Sequence, residues 1–275
     1  MSSANSNAHD PQSLARLAAD VAVTAGERIF ELRARGVSVS ASKSSEVDIV
    51  TEADRESERL IVEALLAARP DDGVLGEEGA GVEGTSGITW VVDPIDGTVN
   101  YFYDLPAYTV SIAATVPDAS ASADGRRAIA GAVFNPRTGE LFDAWEGGGS
   151  RLNGSPITIS GKRELATALV ATGFGYTVER RIEQAEALTR VLPLVRDIRR
   201  IGSAAYDLCN FAAGRLDAYY ERGLQPWDFA AGLLIAREAG AAAVGRDEDT
   251  APGTPFLFAA DPALVEQLRS AVLGD

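Results

Sequence analysis

One cysteine, one histidine and one methionine among 275 residues leave little of the usual catalytic side-chain chemistry. Cys209 alone makes no intrachain disulfide and no thiolate zinc site, which points to a reducing compartment and makes the cytoplasm the expected location. The lone His9 follows Ser2 to Ala8, a segment that reads as a disordered tail. A Ser-His-Asp triad, a multi-histidine metal centre and a phosphohistidine route are therefore excluded. No run of 18 apolar residues is present to span a membrane, and the N-terminus has neither the basic nor the apolar region of a secretory signal. Positive charge is also scarce. With 25 Lys+Arg against 40 Asp+Glu the net charge is −15, which argues against a nucleic-acid partner held through phosphates and against an anionic lipid surface. Carboxylates, hydroxyls, Lys, Arg, the backbone and metal ions remain.

The length suits one large domain or two closely packed ones. Asp10-Pro11 reads as an N-cap with proline at the first helical position, and Leu14, Leu17, Ala18, Val21, Ala25, Ile29 and Leu32 continue a helix up to Gly36. A second helix starts near Thr51, whose Thr51-x-x-Asp54 spacing resembles a capping box, and ends at Pro70. Short apolar runs then read as strands: Val74-Leu75, Ile88 to Val92, Tyr108 to Val116, Ala128 to Phe134 and Glu140 to Trp145. Asn135 to Gly139 and Asn153-Gly154 read as hairpin turns. The second half alternates strand at Ala168 to Ala171, helix at Glu179 to Val195, helix at Ser203 to Ala213 and strand at Asp217 to Tyr220. A helix at Pro226 to Ala239, a strand near Pro255 to Phe258 and a helix begun by Asp261-Pro262 follow. Strands in runs with helices in both halves predict an α+β layered fold rather than a strict βαβ repeat. Three parts are expected: a tail over residues 1–13, an N-terminal α+β unit over 14–150, and a C-terminal α/β unit over 151–275. The Gly147-Gly148-Gly149-Ser150 stretch marks the internal boundary.

Four acidic positions end apolar runs. Glu77, with Glu78 beside it, follows Val74-Leu75 through Gly76. Asp93 follows Val91-Val92, Asp96 comes three residues later, and Asp228 opens the apolar helix after Pro226. Taken singly, each has a plain reading: Asp93 as a turn cap, Asp228 as a first-turn helix acid, Asp54 as the partner of Thr51, Glu77-Glu78 as a solvated turn. Together they would repel one another at strand mouths unless a hard cation with oxygen ligands offsets them. Their charges sum to about −4, which two Mg²⁺ ions neutralise. Without His or Cys ligands, Mg²⁺ or Mn²⁺ suits the site better than zinc. Pro94 limits the backbone so that the Ile95 carbonyl can face inward as a neutral ligand. Gly97 and the turn after it can offer N–H groups to a phosphate. Such a cluster meets the needs of phosphate-ester hydrolysis: charge neutralisation, an activated water and a stabilised leaving alkoxide.

Gly76-Glu77-Glu78-Gly79, Trp90 to Tyr101 around Asp93-Pro94-Ile95-Asp96-Gly97-Thr98, and Trp227-Asp228-Phe229-Ala230-Ala231-Gly232 occur in this order and closely resemble the inositol monophosphatase family. Ser42 to Asp54, Ile201 to Ala205 and Asp217 to Glu221 resemble its flanking segments. The resemblance implies a layered α-β-α-β-α sandwich of the inositol monophosphatase and fructose bisphosphatase type, a homodimer, Mg²⁺ dependence and lithium sensitivity. It implies that Glu77, Asp93 and the Ile95 carbonyl hold one Mg²⁺, that Asp93, Asp96 and Asp228 hold a second, and that Glu77 helps a looser third. Thr98, hydrogen-bonded to Asp54, would orient and help deprotonate the attacking water. Gly97 and Thr98 would contact phosphate, with Lys43 nearby, while Ala204, Glu221, Asp96 and Asp228 would meet polyol hydroxyls. Tyr101 stands where the family often has Phe, and Ala171 to Tyr176 resembles the bacterial branch. The implied activity is hydrolysis of inositol monophosphate. Histidinol phosphate is an alternative substrate, since Glu221 can accept from hydroxyls or pair with an ammonium group. Fructose 1,6-bisphosphate and nucleotide 3′,5′-bisphosphates are less suited, because Glu221 disfavours a second phosphate beside it. A non-catalytic role, docking on RNA-processing or transcription machinery, is the alternative of another class.

Overall fold

The computed structural model describes residues 9–37, 39–42, 49–247 and 249–275. Helix α1 (Pro11–Ala34) begins where the Asp10 carboxylate accepts from the Ser13 N–H at 3.2 Å. Residues 11–13 are thus helical and not tail, because the Asp10 cap and Pro11 start the helix there; residues 1–8 lie outside the described residues. A two-stranded ribbon, β1 (Val39–Ser42) and β2 (Ile49–Thr51), leads into α2 (Glu52–Ala68).

The first sheet is built from β3 (Gly73–Gly76), β4 (Gly81–Val82), β5 (Thr89–Asp96) and, after the short helix α3 (Thr98–Phe102), β6 (Thr109–Pro117). It continues through β7 (Arg126–Asn135), β8 (Glu140–Trp145), β9 (Gly149–Leu152) and β10 (Ser155–Ile157), in spatial order β10-β9-β8-β7-β6-β5-β3-β4. The second sheet has the order β12-β11-β13-β15-β14, from β11 (Leu169–Thr172), β12 (Asp197–Arg199), β13 (Ala218–Arg222), β14 (Ala242–Val244) and β15 (Phe256–Ala260). Helices α4 (Val178–Val191), α5 (Ala204–Ala212), α6 (Pro226–Glu238) and α7 (Val265–Leu273) complete the chain.

The layering follows from the period-2 alternation of each strand. In the first sheet Trp90, Val92, Ile112, Ala114, Ala132 and Phe134 face one way, packing with the buried faces of α1 and α2. Val91, Ala113 and Val133 face the other way, onto α5 and α6. In the second sheet Ala171, Tyr219 and Leu257 share that same central core, while Val170, Tyr220 and Phe258 pack with residues of α4 and α7. The order is helix, sheet, helix, sheet, helix, the expected α-β-α-β-α sandwich. Among the described residues, no helix is long and apolar enough to cross a membrane.

Three expectations change. The Gly147–Gly149 turn is not the passage between units: it joins β8 to β9 inside one sheet, and the first sheet continues to Ile157. Residues of α6, from the C-terminal half, pack on the first sheet, so a cut at 150 divides a shared core. The helix expected over Glu179 to Val195 ends at Val191 and tightens to a 3₁₀ turn over Leu192–Leu194, because Pro193 has no N–H to continue the α-helical ladder.

Candidate active site

The centre of the site is the end of β5. Pairing with β6 runs in register to Asp93↔Ser111, slips, and resumes at Asp96↔Thr109. This bulge re-aims the chain, as strand irregularities near functional sites commonly do. Asp93 Oδ1 accepts from the Ile95 N–H at 3.0 Å, and the Pro94 carbonyl accepts from Ser57 Oγ at 3.1 Å. The Ile95 side chain sits in the core while its carbonyl accepts from Thr98 Oγ1 at 3.0 Å. Gly97 has φ 90°, and a Cβ there would lie 2.9 Å from the Ala107 carbonyl oxygen and 3.1 Å from that of Gly202. Only glycine fits that turn.

Asp54 serves two partners. Its Oδ2 accepts from the Thr51 N–H at 2.8 Å and Thr51 Oγ1 at 2.5 Å, so the plain capping reading holds. Its Oδ1 accepts from Thr98 Oγ1 at 3.1 Å, the pair implied by the family resemblance. The carboxyl is fully buried, and that burial pushes it up to about 6 against the pull of the Thr51 bonds. The extra hydroxyl of Tyr101 finds the Ile29 carbonyl at 2.9 Å.

The four acids come together in the fold. Asp93 is raised well above the ordinary range by burial and then by the charges of Glu77, Asp96 and Asp228. Burial, then Glu77 and Asp96, raises Asp228 as well. Asp228 also accepts from the Gln225 N–H at 2.7 Å, so it is a first-turn helix acid too. Asp96 is raised by burial, against three donors at the start of α5: Ser203 Oγ at 2.6 Å, Ala205 N at 2.7 Å and Ala204 N at 3.2 Å. Among the described residues, no three acidic, His or Cys side chains are arranged to hold an ion as they stand. The donor set nevertheless fits a hard divalent cation. It is oxygen only, its carboxylates repel one another, and burial favours any positive charge that relieves them.

A cleft of about 390 Å³ opens beside these acids, and Glu77, Asp96, Asp228, Ala204, Asp207 and Glu221 are among the residues that line it. Burial pushes Glu221 up to about 7, while the Tyr219 hydroxyl donating at 2.7 Å and the Arg200 charge pull it down. A Cβ on Gly173 would fall 2.0 Å from Glu221 Oε2, so the wall closes on that carboxylate only because residue 173 is glycine. Gln184 of α4 clamps this wall: its Oε1 accepts from the Gly175 N–H at 2.8 Å and its Nε2 donates to the Gly173 carbonyl at 3.3 Å.

Lys43 lies outside the described residues. Of the other expected site residues, Glu77, Asp96, Gly97, Ala204, Glu221 and Asp228 line the cleft, while Asp54, Asp93, Ile95 and Thr98 do not and join them through the hydrogen bonds and charges described above; the sequence reading missed several supports. Glu58 accepts from the Glu78 N–H at 2.8 Å and the Ala80 N–H at 3.0 Å, fixing the Glu77 turn. Asp207 is 1% exposed, and its Oδ1 has no hydrogen-bond partner among the described residues. Burial, then Glu221 and Asp96, raises its carboxyl. Its signal was helical spacing: it stands three residues after Ala204 and shares its face. Cys209 is buried and its thiol is pushed well up by that burial, as befits an inert core residue.

The layered α+β chain gathers buried acids from strand ends and helix N-termini at a cleft, an arrangement that suits a cation-assisted hydrolase acting on phosphate esters. The sequence profile of the inositol monophosphatase family matches residues 10–272, and the chain belongs to that family. Inositol-1-monophosphatase SuhB of Mycobacterium tuberculosis is 46% identical over 240 residues, covering 84% of this chain and 80% of that protein. Nus factor SuhB of Vibrio cholerae is 37% identical over 235 residues, covering 85% of this chain and 84% of that protein. Among solved structures, Mycobacterium tuberculosis SuhB superposes with TM-score 0.80 at 41% identity, covering 97% of this chain and 98% of that one. The suppressor protein suhB of Bartonella henselae gives 0.85 at 32%, covering 94% and 98%.

Proposed function

We propose that the protein is a Mg²⁺-dependent phosphomonoesterase that hydrolyses inositol monophosphate to inositol and phosphate. The observation that carries this reading is the Thr98–Asp54 hydrogen bond at 3.1 Å, placed beside four mutually repelling acids at the mouth of a cleft. Glu77, Asp93 and the Ile95 carbonyl, with Asp96 and Asp228, would hold two or three divalent cations, Mn²⁺ being an acceptable replacement. Bound there, the cations would supply the charge neutralisation that a phosphoryl group needs. Thr98 Oγ orients the attacking water, and Asp54, once ionised, takes the proton passed through Thr98. The Gly97 and Thr98 backbone contacts phosphate, with Lys43 nearby. Ala204, Asp96, Asp228 and Glu221 meet the alcohol hydroxyls.

Phosphate release from inositol 1-phosphate and histidinol phosphate, with Mg²⁺ and with EDTA, tests the reading. Mg²⁺-dependent turnover of inositol 1-phosphate that Asp93→Asn abolishes is expected. Faster turnover of histidinol phosphate would move the substrate to that amino alcohol, for which Glu221 would pair with the ammonium group. Lithium inhibition belongs to the same reading, as does a cytoplasmic setting for a chain whose one cysteine is buried and free. The name Nus factor carried by relatives such as the Vibrio protein favours a second reading, docking on transcription machinery. Cellular function that survives Asp93→Asn would mark it. A homodimer is also proposed. Val178 and Ile182, one turn apart on α4 and 68% and 56% exposed, with Leu192 and Leu194 after them, leave apolar surface for a second copy. Light scattering should give twice the 28.9 kDa chain mass, and Ile182→Glu should shift it toward monomer.

A further inference from the structure

A second cavity lies outside the candidate active site, between the second sheet and its outer helices. Strand residues alternate in direction, so the neighbours of Glu221 on β13, Tyr220 and Arg222, turn toward the layer of α4 and α7. The cavity, of about 180 Å³, is lined there by Thr172, Tyr220 and Phe256 of the sheet, Ala187 of α4, and Val272 and Leu273 of α7. Its aromatic part is fixed. Phe256 stacks on Phe258 at 5.5 Å and Phe258 on Tyr220 at 6.4 Å, so the two rings that border the cavity are held by a third.

The charged groups at the border are three arginines and two glutamates, which leave one net positive charge. In a chain at −15 that is a local reversal of sign. Glu183 is paired with Arg222, and Arg190 donates to the Val272 carbonyl at 2.6 Å near the end of α7. Arg246 and Glu186 make no side-chain hydrogen bond or ion pair among the described residues. Gln184 joins this cavity to the active-site cleft. It borders the cavity from α4, is buried, and clamps Gly173 and Gly175, the wall that closes on Glu221.

We propose that this cavity binds a small apolar monocarboxylate, an aromatic acid of one ring, and that its occupancy steadies the Glu221 wall through Gln184. The volume is that of about six waters, room for one ring and its carboxylate but not for a nucleotide or a phosphorylated sugar. The apolar lining suits the ring, whose removal from water drives entry. Arg246 offers the carboxylate a planar fork of donors, and the remaining N–H groups of Arg190 stand at the same border. A single net positive charge matches a monoanion better than a phosphate dianion. A ligand seated against Gln184 holds its amide on Gly173 and Gly175, so less ordering is left for the substrate to bring about. The binding stands apart from the phosphatase reading, whereas the effect on the cleft rests on it.

Calorimetry with phenylacetate, phenylacetamide and phenethylamine, alike in shape and different in charge, tests the cavity. Phenylacetate should bind with a Kd on the order of 1 mM, the scale for so small a ligand, and about tenfold tighter than the other two. Arg246→Gln should remove that preference, and Ala187→Phe, which fills the cavity, should abolish binding. Arg246 is exposed, so its variant decides if Ala187→Phe fails to fold. Absence of saturable binding, equal affinity for acid and amide, tighter binding of the amine through Glu186, or an acid affinity unchanged in Arg246→Gln overturns the site. In a second arm with the Mg²⁺-loaded protein, saturating phenylacetate should lower KM for inositol 1-phosphate severalfold with kcat unchanged. The same concentration should leave KM of Arg246→Gln where it was. A wild-type KM that phenylacetate does not move overturns the coupling through Gln184. Absence of turnover in both proteins is failure of the phosphatase reading instead, and calorimetry then decides the site by itself.

Discussion

Thr98 Oγ1 lies 3.1 Å from Asp54 Oδ1 and 3.0 Å from the Ile95 carbonyl, so its single proton has two acceptors. A water approaching Thr98 can hand over a proton only if Asp54 is ionised. Thr98→Ala is expected to lower kcat by about 10²-fold, the usual scale for a lost proton-transfer partner, with KM changed little. The acid limb of the pH–rate profile carries a second expectation. Burial pushes Asp54 up to about 6, so activity should rise as pH passes through that region. Added Mg²⁺, a positive charge nearby, should move the limb to lower pH. Asp54→Asn should remove the limb together with most of the activity. A profile flat from pH 5 to 8 in the wild type would contradict the role.

At the scale of elements, much was legible because the code is local. The Asp10-Pro11 and Thr51-x-x-Asp54 starts match α1 and α2, and the apolar runs of β5 to β8 alternate over long enough stretches to be read. The three residues of β12 and of β14 are too few to show alternation, and α3, at five residues, follows a glycine turn rather than a periodic pattern. The boundary at Gly147 failed for another reason. A glycine cluster announces a turn, whereas which sheet the chain rejoins depends on distant packing. The acids were legible as strand-end motifs, but their supports were not, since Glu58 reaches backbone groups 20 and 22 residues on and Gln184 bonds backward across a loop to Gly175 and Gly173, contacts that no local periodicity announces. Gln184 makes the point testable. Leucine fills similar volume but offers no hydrogen bond to Gly173 or Gly175, leaving both free to drift from Glu221. Gln184→Leu should raise KM for inositol 1-phosphate more than it lowers kcat. An equal loss for inositol 1-phosphate and for a small ester such as glycerol 2-phosphate would show a general packing defect instead.

For the whole molecule, the site is a stability cost accepted within a chain already at −15. Burial raises Asp93, Asp96, Asp207 and Asp228, lifts Asp54 to about 6 and lifts Glu221 to about 7. A carboxyl with a raised folded-state pKa binds more protons folded than unfolded, so its contribution is largest below its unfolded pKa and is lost as pH rises through the folded one. EDTA-treated protein should accordingly have a higher thermal midpoint at pH 5.5 than at pH 7.5. Cations reverse the trend, because they bind the ionised cluster of the folded chain. At about 100 times its Kd, Mg²⁺ would stabilise by about 2.7 kcal/mol, or roughly 5 °C in the midpoint. The gain should be larger at pH 7.5, where the ligands have shed their protons. Asp93→Asn separates the two effects in one protein. Removing one buried charge should raise the EDTA midpoint at pH 7.5 while cutting the Mg²⁺ gain, so the variant is more stable without metal and inactive with it. If wild type shows neither the pH trend in EDTA nor a Mg²⁺ gain, the acids are not the uncompensated cluster described above, and a metal-dependent reaction at this cleft loses its physical basis.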